Sequence, residues 1–456
     1  MFKCIMRKIV FALALMIAVA SCSPEANDYE QVFSDNVLYS KMTGQLTDVI
    51  TYDIFTPPVA SRIYAYSHLA AYETMVAGDS SYISMQGQLR DFQGVPQPDT
   101  SKTKINFPYA SMIAFMEVGR TLTFSKDQTD RIVDSLKTLA KEHGMPKDVQ
   151  EHSEKFGISV ANAVLDWSKK DNYAQTRSAA KYTVPNEDGY WVPTPPAYIP
   201  AVEPQWRTIR PIALDSPNQF LPPPPVPYSH QEGTEFYKWV KDVCDIGNNL
   251  TEEQKAIASF WDCNGFKMHV VGHTMFATKA MTPGGHWMGI VGIVCKDQNA
   301  DINKTIYAYT AVAFALMDAF ISCWDAKYTW NLVRPETVIN KYLDPEWRPF
   351  LQTPPFPEYT SGHSEISMAS ATVLTHIFGD NIAFRDSTER PWGWPDRNFT
   401  SFREAAEEAG MSRFYGGIHY LPSVRAGFEQ GVRVGNHIIS KLKMRRETAS
   451  QQLAGN

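Results

Sequence analysis

The sequence predicts an all-α protein built of packed helical bundles, and three observations lead there. Apolar residues recur three and four positions apart over long segments of the chain. Alternating apolar runs joined by hairpin turns are scarce, and no internal repeat of fixed period is present. With 456 residues, 44% hydrophobic and 20% charged, the chain is long enough to bury a full core and too apolar to be disordered.

Taken in order, residues 1–21 read as a secretion signal: Lys3, Arg7 and Lys8 precede an apolar run that ends in small residues. Val19, Ala20, Ser21 and Cys22 resemble a bacterial lipobox, so the mature chain is expected to begin at a lipidated Cys22 and to meet the membrane through that anchor only, in the cell envelope. Residues 22–184 form an N-terminal helical layer, with helices expected over Pro57–Gly78, Pro108–Leu122, Lys126–His143 and Asp148–Lys170. Residues 185–229 hold thirteen of the 30 prolines and form an extended strap with Trp191 and Trp206 as anchors, because proline removes the donor a helix or central strand needs. Residues 230–456 form a C-terminal helical domain, with helices over His230–Cys244, Thr251–Trp261, Ile302–Trp324, Ser364–Phe378 and Pro422–Leu442. The apolar stretch Thr305–Trp324 contains Asp318, which favours a buried core helix over a membrane span.

A net charge of −6 argues against nucleic acid as a partner, since backbone phosphates require a basic face. Any anion site must be a local cluster, and three segments offer one. In Asp325–Pro335, Lys327 and Arg334 stand seven apart, nearly two helical turns, and face one way if the helix runs on until Pro335 stops it. In Pro354–His363, prolines followed by Thr360, Ser361 and Gly362 signal a helix start, which aims free N–H groups at an anion with His363 beside it. In Ser412–Pro422, Arg413 offers a two-pronged donor, Gly416 and Gly417 allow close backbone approach, and His419 precedes the last helix. Each segment alone is an ordinary basic face, N-cap or structural histidine.

Together, in this order and spacing, the three resemble the active-site signature shared by vanadium haloperoxidases and the type 2 phosphatidic acid phosphatases. The likeness extends to Ser61–Tyr72, Gly157–Ala163, Ser259–Trp261 and Pro283–Trp287, which look like segments of longer, soluble haloperoxidase-like bacterial proteins. The resemblance implies the helical-bundle fold of that superfamily and a vanadate cofactor. Lys327, Arg334 and Arg413 would hold its equatorial oxygens, with the Ser361 hydroxyl and the Gly362 N–H assisting. His419 would be the vanadium ligand, and His363 the acid–base group on the opposite side. Phe356 and Trp324 would line a dry halide pocket.

Hydrogen peroxide and a halide would then be the substrates. Two other readings remain: an acid phosphatase that cleaves phosphomonoesters through a phosphohistidine on His419, and a non-catalytic oxyanion-binding lipoprotein. Many superfamily members carry an aspartate four residues after the last histidine, where this chain has Ser423. Without a carboxylate to orient the imidazole, phosphatase action is the less expected of the two chemistries. Asp262 and Asp325 are the candidates to place a carboxylate near the arginines. His68 and His286 read as packing residues beside the chemistry. His269 and His273, four apart as helical metal ligands would be, lack a nearby partner to complete a zinc site. The four interior cysteines, 244, 263, 295 and 323, show no close-spaced pair.

Overall fold

The computed structural model describes residues 27–265 and 267–446, so the signal segment 1–21 and Cys22 lie outside the described residues. Fifteen α-helices and two short hairpins organise the described chain. The first half holds α1 (Tyr29–Phe33), α2 (Asn36–Tyr52), α3 (Pro57–Val76), α4 (Phe107–Leu122), α5 (Lys126–Glu142), α6 (Lys147–Ser168) and α7 (Tyr173–Ser178). The second half holds α8 (Glu235–Asn248), α9 (Glu252–Phe260), α10 (Pro283–Asp297), α11 (Ile302–Trp330), α12 (Pro335–Tyr342), α13 (Gly362–Phe378), α14 (Phe402–Tyr415) and α15 (Leu421–Lys441). Antiparallel β1 (Lys267–Val271) and β2 (Thr274–Thr278) form one hairpin, and β3 (Phe384–Asp386) with β4 (Arg397–Phe399) the other.

Both halves share one hydrophobic core that runs from Tyr29 to Met444. Its axis is α11, which packs on α3 from the first half and α13 from the second. Asp301 caps α11 by accepting the Lys304 N–H, and every residue from Ala308 to Lys327 is buried. By length and composition α11 is apolar enough to cross a membrane, but the rest of the protein surrounds it. In α3, Thr56 accepts the Val59 N–H and Pro57 and Pro58 fill the first turn, where a missing donor costs nothing.

One local expectation needs correction. The helix carrying Lys327 does not run on to Arg334: Asn331, in the left-handed region at φ 50°, ends it, and Pro335 opens α12 with Arg334 at its N-cap. Lys327 and Arg334 therefore converge across a turn instead of along one helix face. His269 and His273 are not helical either. His269 lies on β1, bonded to the Thr278 hydroxyl at 2.8 Å, and His273 in the turn to β2.

Residues 179–234 contain one 3-10 turn, Trp206–Thr208, and no other helix or strand. Trp191 and Trp206 are fully buried there. The segment is tied to α11 and to the residues just after it. The Trp191 N–H donates to Asn331 O, the Val333 N–H to Gly189 O, and the Trp324 indole and Tyr328 hydroxyl both donate to Val202 O. Asp318, buried within α11, accepts the backbone N–H groups of Ile212, Ala213 and Leu214 at 2.7, 2.8 and 3.0 Å. Burial raises its pKa to about 6, against those three donors.

The tightest helix contact is between α13 and α15. Gly427, Gly431 and Gly435 recur every four residues on α15, and a Cβ at each would fall 2.8, 2.3 and 2.9 Å from the carbonyl oxygens of Ser361, Glu365 and Ala369. Gly431→Ala is expected to cost about 1–3 kcal/mol through overpacking. Gly44→Ala, in a helix position with open space around it, is expected to gain up to about 1 kcal/mol. Urea unfolding of both variants checks this, and equal shifts in the two would refute the close-contact account.

Candidate active site

The three motif segments meet at one end of α11, α13, α14 and α15. Ser361 is the N-cap of α13, its hydroxyl accepting the Ser364 N–H, so Gly362 and His363 occupy the first turn. Arg413 lies in the last turn of α14, and His419 stands two residues ahead of α15, whose N-cap is Tyr420. The glycine stripe of α15 sets the distance between the elements that carry the two histidines.

Gly362, His363, Arg413, His419, Trp324 and Phe356 line a single cavity of about 50 Å³, room for a few water-sized groups. Arg334 reaches it through His419: its Nη1 donates to His419 Nε2 at 3.0 Å and to Ile418 O at 2.8 Å, and its Nε donates to Phe356 O. Arg413 is held by the Trp261 carbonyl at 2.7 Å, with Asp262 3.9 Å from its Nη1. Lys327 and Ser361 stand behind the wall. The Lys327 ammonium donates to the carbonyls of Pro357, Glu358 and Thr360, shaping the loop that presents Ser361 and His363. Asp325 pairs with Arg207 at 3.9 Å and takes no part.

The Trp324 and Phe356 rings pack at 4.9 Å between centroids, and the Lys327 ammonium and Arg334 guanidinium lie 5.2 and 5.1 Å from the Phe356 ring centre. An apolar wall beside buried cations excludes water and strengthens their pull on an anion.

The carboxylate absent from position 423 is supplied from another direction. Glu358 Oε1 accepts from His419 Nδ1 at 2.7 Å and from the Tyr420 N–H at 3.0 Å, and Ser423 is one of its neighbours. An aspartate at 423 would crowd a second negative charge against it. The expectation that no carboxylate orients His419 is therefore corrected, and with it the argument drawn from that absence against phosphatase chemistry. Glu358 is the only acidic residue from Trp347 to Ser364, a signal the sequence did hold, but nothing in its spacing points to a histidine 61 positions later.

The charges are unbalanced in favour of an anion. Burial, with Arg334 alongside, pushes Lys327 down to about 8, and burial pushes Arg334 to about 10 and lowers Arg413. Burial raises Glu358 to about 7 although Arg334 and Lys327 pull the other way. Burial followed by the repulsion of Arg334, Lys327 and Arg413 holds His419 well below its usual value, and burial with Arg413 and His286 does the same to His363. Both imidazoles are thus neutral at ordinary pH. With Nδ1–H held by Glu358, His419 keeps a lone pair on Nε2, which accepts from Arg334 Nη1 at 3.0 Å.

His68 and His286 have structural partners. His68 stacks on Tyr309 at 5.0 Å and bonds Tyr39 at 2.8 Å, remote from the cavity lining. His286 is clamped between Asp386 and Glu389. Cys244, Cys263, Cys295 and Cys323 are all buried free thiols.

Comparison with known proteins identifies the family. Residues 307–448 match the family described as the VCPO second helical-bundle domain. A solved structure described as the first bacterial vanadium-dependent iodoperoxidase is 45% identical, with a TM-score of 0.85, covering 91% of this chain and 98% of that one. The chain belongs to the vanadium-dependent haloperoxidases. Holo and apo bacterial vanadium-dependent chloroperoxidase structures, 17% and 16% identical with TM-scores of 0.66 and 0.65, share the fold; each comparison covers 85% of this chain, and 93% and 95% of theirs. No curated protein sequence matches. The all-α fold and the haloperoxidase-like function expected from the motifs both stand.

Vanadate, the oxyanion this family implies, fits the residues present. Arg334 Nη2 and His363 Nε2 are buried without a protein partner, and an oxyanion offers acceptors to the guanidinium and a proton-exchange partner to the imidazole. Removing the acceptor in Glu358→Ala is expected to weaken vanadate binding about 10–100-fold, whereas Glu358→Gln, which keeps an oxygen for Nδ1–H, should lose less. Calorimetric titration with vanadate checks this order, and an unchanged affinity in Glu358→Ala would refute the positioning role.

Proposed function

We propose that this chain is a haloperoxidase that uses vanadate and hydrogen peroxide to oxidise halide to a halogenating species. The observation that carries the reading is the cavity where Arg413, Gly362 and two neutral imidazoles meet beside an aromatic wall, with Arg334 bonded to one of those imidazoles. Iodide is the first halide to test, since the 45% identical protein is described as an iodoperoxidase.

Arg334 and Arg413 would grip oxygens of the oxyanion as charge-assisted donors, joined by the Gly362 N–H at the positive end of α13. Lys327 adds positive charge from behind the wall while its three carbonyl bonds keep the 357–360 loop in place, and Ser361 fixes the start of α13. His419, oriented by Glu358, would offer Nε2 as the vanadium ligand once Arg334 turns its Nη1 from that nitrogen to the oxyanion. His363, neutral and with Nε2 unpartnered, would accept a proton from incoming peroxide and return it to the departing oxygen. Trp324 and Phe356 exclude water and favour a weakly hydrated halide. When bound, vanadate supplies a Lewis-acid centre at which peroxide becomes an oxidant of halide with no net redox change of the metal.

The test is halide-dependent, peroxide-driven iodination or bromination by the vanadate-reconstituted full chain. His363→Ala is expected to lower kcat by about 10²–10⁴-fold. Turnover of a phosphomonoester without peroxide, in place of halogenation, would overturn the assignment in favour of the phosphatase.

For location, the signal layout of residues 1–21 and the lipobox at Cys22 support an envelope lipoprotein anchored by lipid alone. Cys22→Ala should lose incorporation of labelled fatty acid and leave the membrane fraction. Equal labelling of the variant would reject the anchor.

A further inference from the structure

Cys263 lines the oxyanion cavity, but its sulfur also belongs to a second constellation. The Sγ lies 3.4 Å from His286 Nδ1 and 3.7 Å from Glu389 Oε1, and Nδ1 lies 3.2 Å from the same carboxylate oxygen. All three residues are buried, His286 completely. They come from distant parts of the chain: Cys263 from the loop after α9, His286 from the first turn of α10, and Glu389 from the loop between β3 and β4.

The far side of the imidazole is already committed. His286 Nε2 lies 2.7 Å from Asp386 Oδ2, while the Thr388 hydroxyl donates to the other oxygen of Asp386. Although burial opposes it, Asp386 and Cys263 hold the ring well above its usual pKa, so Nδ1 carries a proton toward the sulfur and the Glu389 oxygen unless another cation takes that proton's place, while Asp386 keeps the Nε2–H. Trp261 stacks on the ring at 4.3 Å and fixes its plane. A nitrogen, a sulfur and a carboxylate oxygen facing one another out of water need a positive charge among them, which either a proton or a metal ion that displaces it supplies.

The spacing matches one kind of cation. Three atoms separated by 3.2, 3.4 and 3.7 Å lie ~2 Å from their common centre, and a small displacement out of their plane reaches the ~2.0–2.3 Å bonds of zinc to nitrogen, oxygen and sulfur. A thiolate and an imidazole disfavour magnesium and calcium, which take oxygen ligands. A carboxylate on the remote nitrogen is the usual support of a metal-bound histidine. We propose that Cys263, His286 and Glu389 hold one divalent transition-metal ion of zinc type, with Asp386 as the positioning residue. The ion would tie the cavity wall at Cys263 to α10 and to the β3–β4 loop, independently of vanadate.

The probe is cobalt(II), added to the metal-stripped full chain without vanadate. The proposal expects one equivalent bound, with a thiolate-to-cobalt charge-transfer absorption in the near ultraviolet that zinc(II) displaces. Cys263→Ser should abolish that absorption, and far-UV circular dichroism establishes that the variant is folded. Asp386→Asn should keep the absorption and bind cobalt about 10–100-fold more weakly, and Glu389→Gln should bind at least tenfold more weakly. His269→Ala, on the exposed hairpin, should behave as wild type. No uptake by the wild type, or an absorption that survives Cys263→Ser, overturns the proposal and leaves His286 as a protonated ring between two carboxylates. If Cys263→Ser does not fold, unchanged affinity in both the Asp386 and Glu389 variants overturns it equally.

Discussion

The active site depends on how closely α13 approaches α15. His363 sits in the first turn of one helix and His419 just ahead of the other, so the gap between their imidazoles is set by backbone contact and not by adaptable side chains. Three glycines at four-residue spacing let the carbonyls of Ser361, Glu365 and Ala369 come against α15. Such a contact has little slack, because any added carbon must displace a main chain that α11 and α14 hold from the other sides.

Around that frame the protein solves an electrostatic problem in layers. Three cations are taken out of water without enough anions to neutralise them, which is unstable unless other donors and acceptors take up the strain. Lys327 is satisfied by three carbonyls, Arg413 mainly by the Trp261 carbonyl, and Arg334 by Phe356, Ile418 and the His419 ring. One carboxylate, Glu358, serves both the imidazole and the Tyr420 amide, so a single negative charge fixes a tautomer and the start of α15 together. The strap braces the same region from outside through Asn331, Val333 and Val202.

Much of this was legible in the chain because periodicity and caps are local. The helices α3, α4, α5, α6, α13 and α15 match the expected spans to within about two residues at each end, whereas α11 starts as expected at Ile302 but runs on past Trp324 to Trp330. Helices α2, α10, α12 and α14 were not anticipated. Helix α10 is buried on nearly every side and carries Gly284, Gly285, Gly289 and Gly292, so it shows neither a polar stripe nor helix-favouring composition. The turn at Asn331 was misread because Lys327 and Arg334 fit a helical spacing that the backbone does not use. Among the site residues, those within motifs came into view together. Glu358 and the cluster around Cys263 did not, since their partners lie between 23 and 126 positions away and no local pattern encodes such a meeting.

Because the cage selects by charge, size and tetrahedral shape, it has little means of refusing phosphate, which shares all three. Occupancy is then a matter of mass action in the surrounding fluid: at equal affinity, a hundredfold excess of phosphate leaves about one molecule in a hundred carrying vanadate. At that ratio the fraction of protein able to work would depend on the phosphate around it as much as on the amount of protein made.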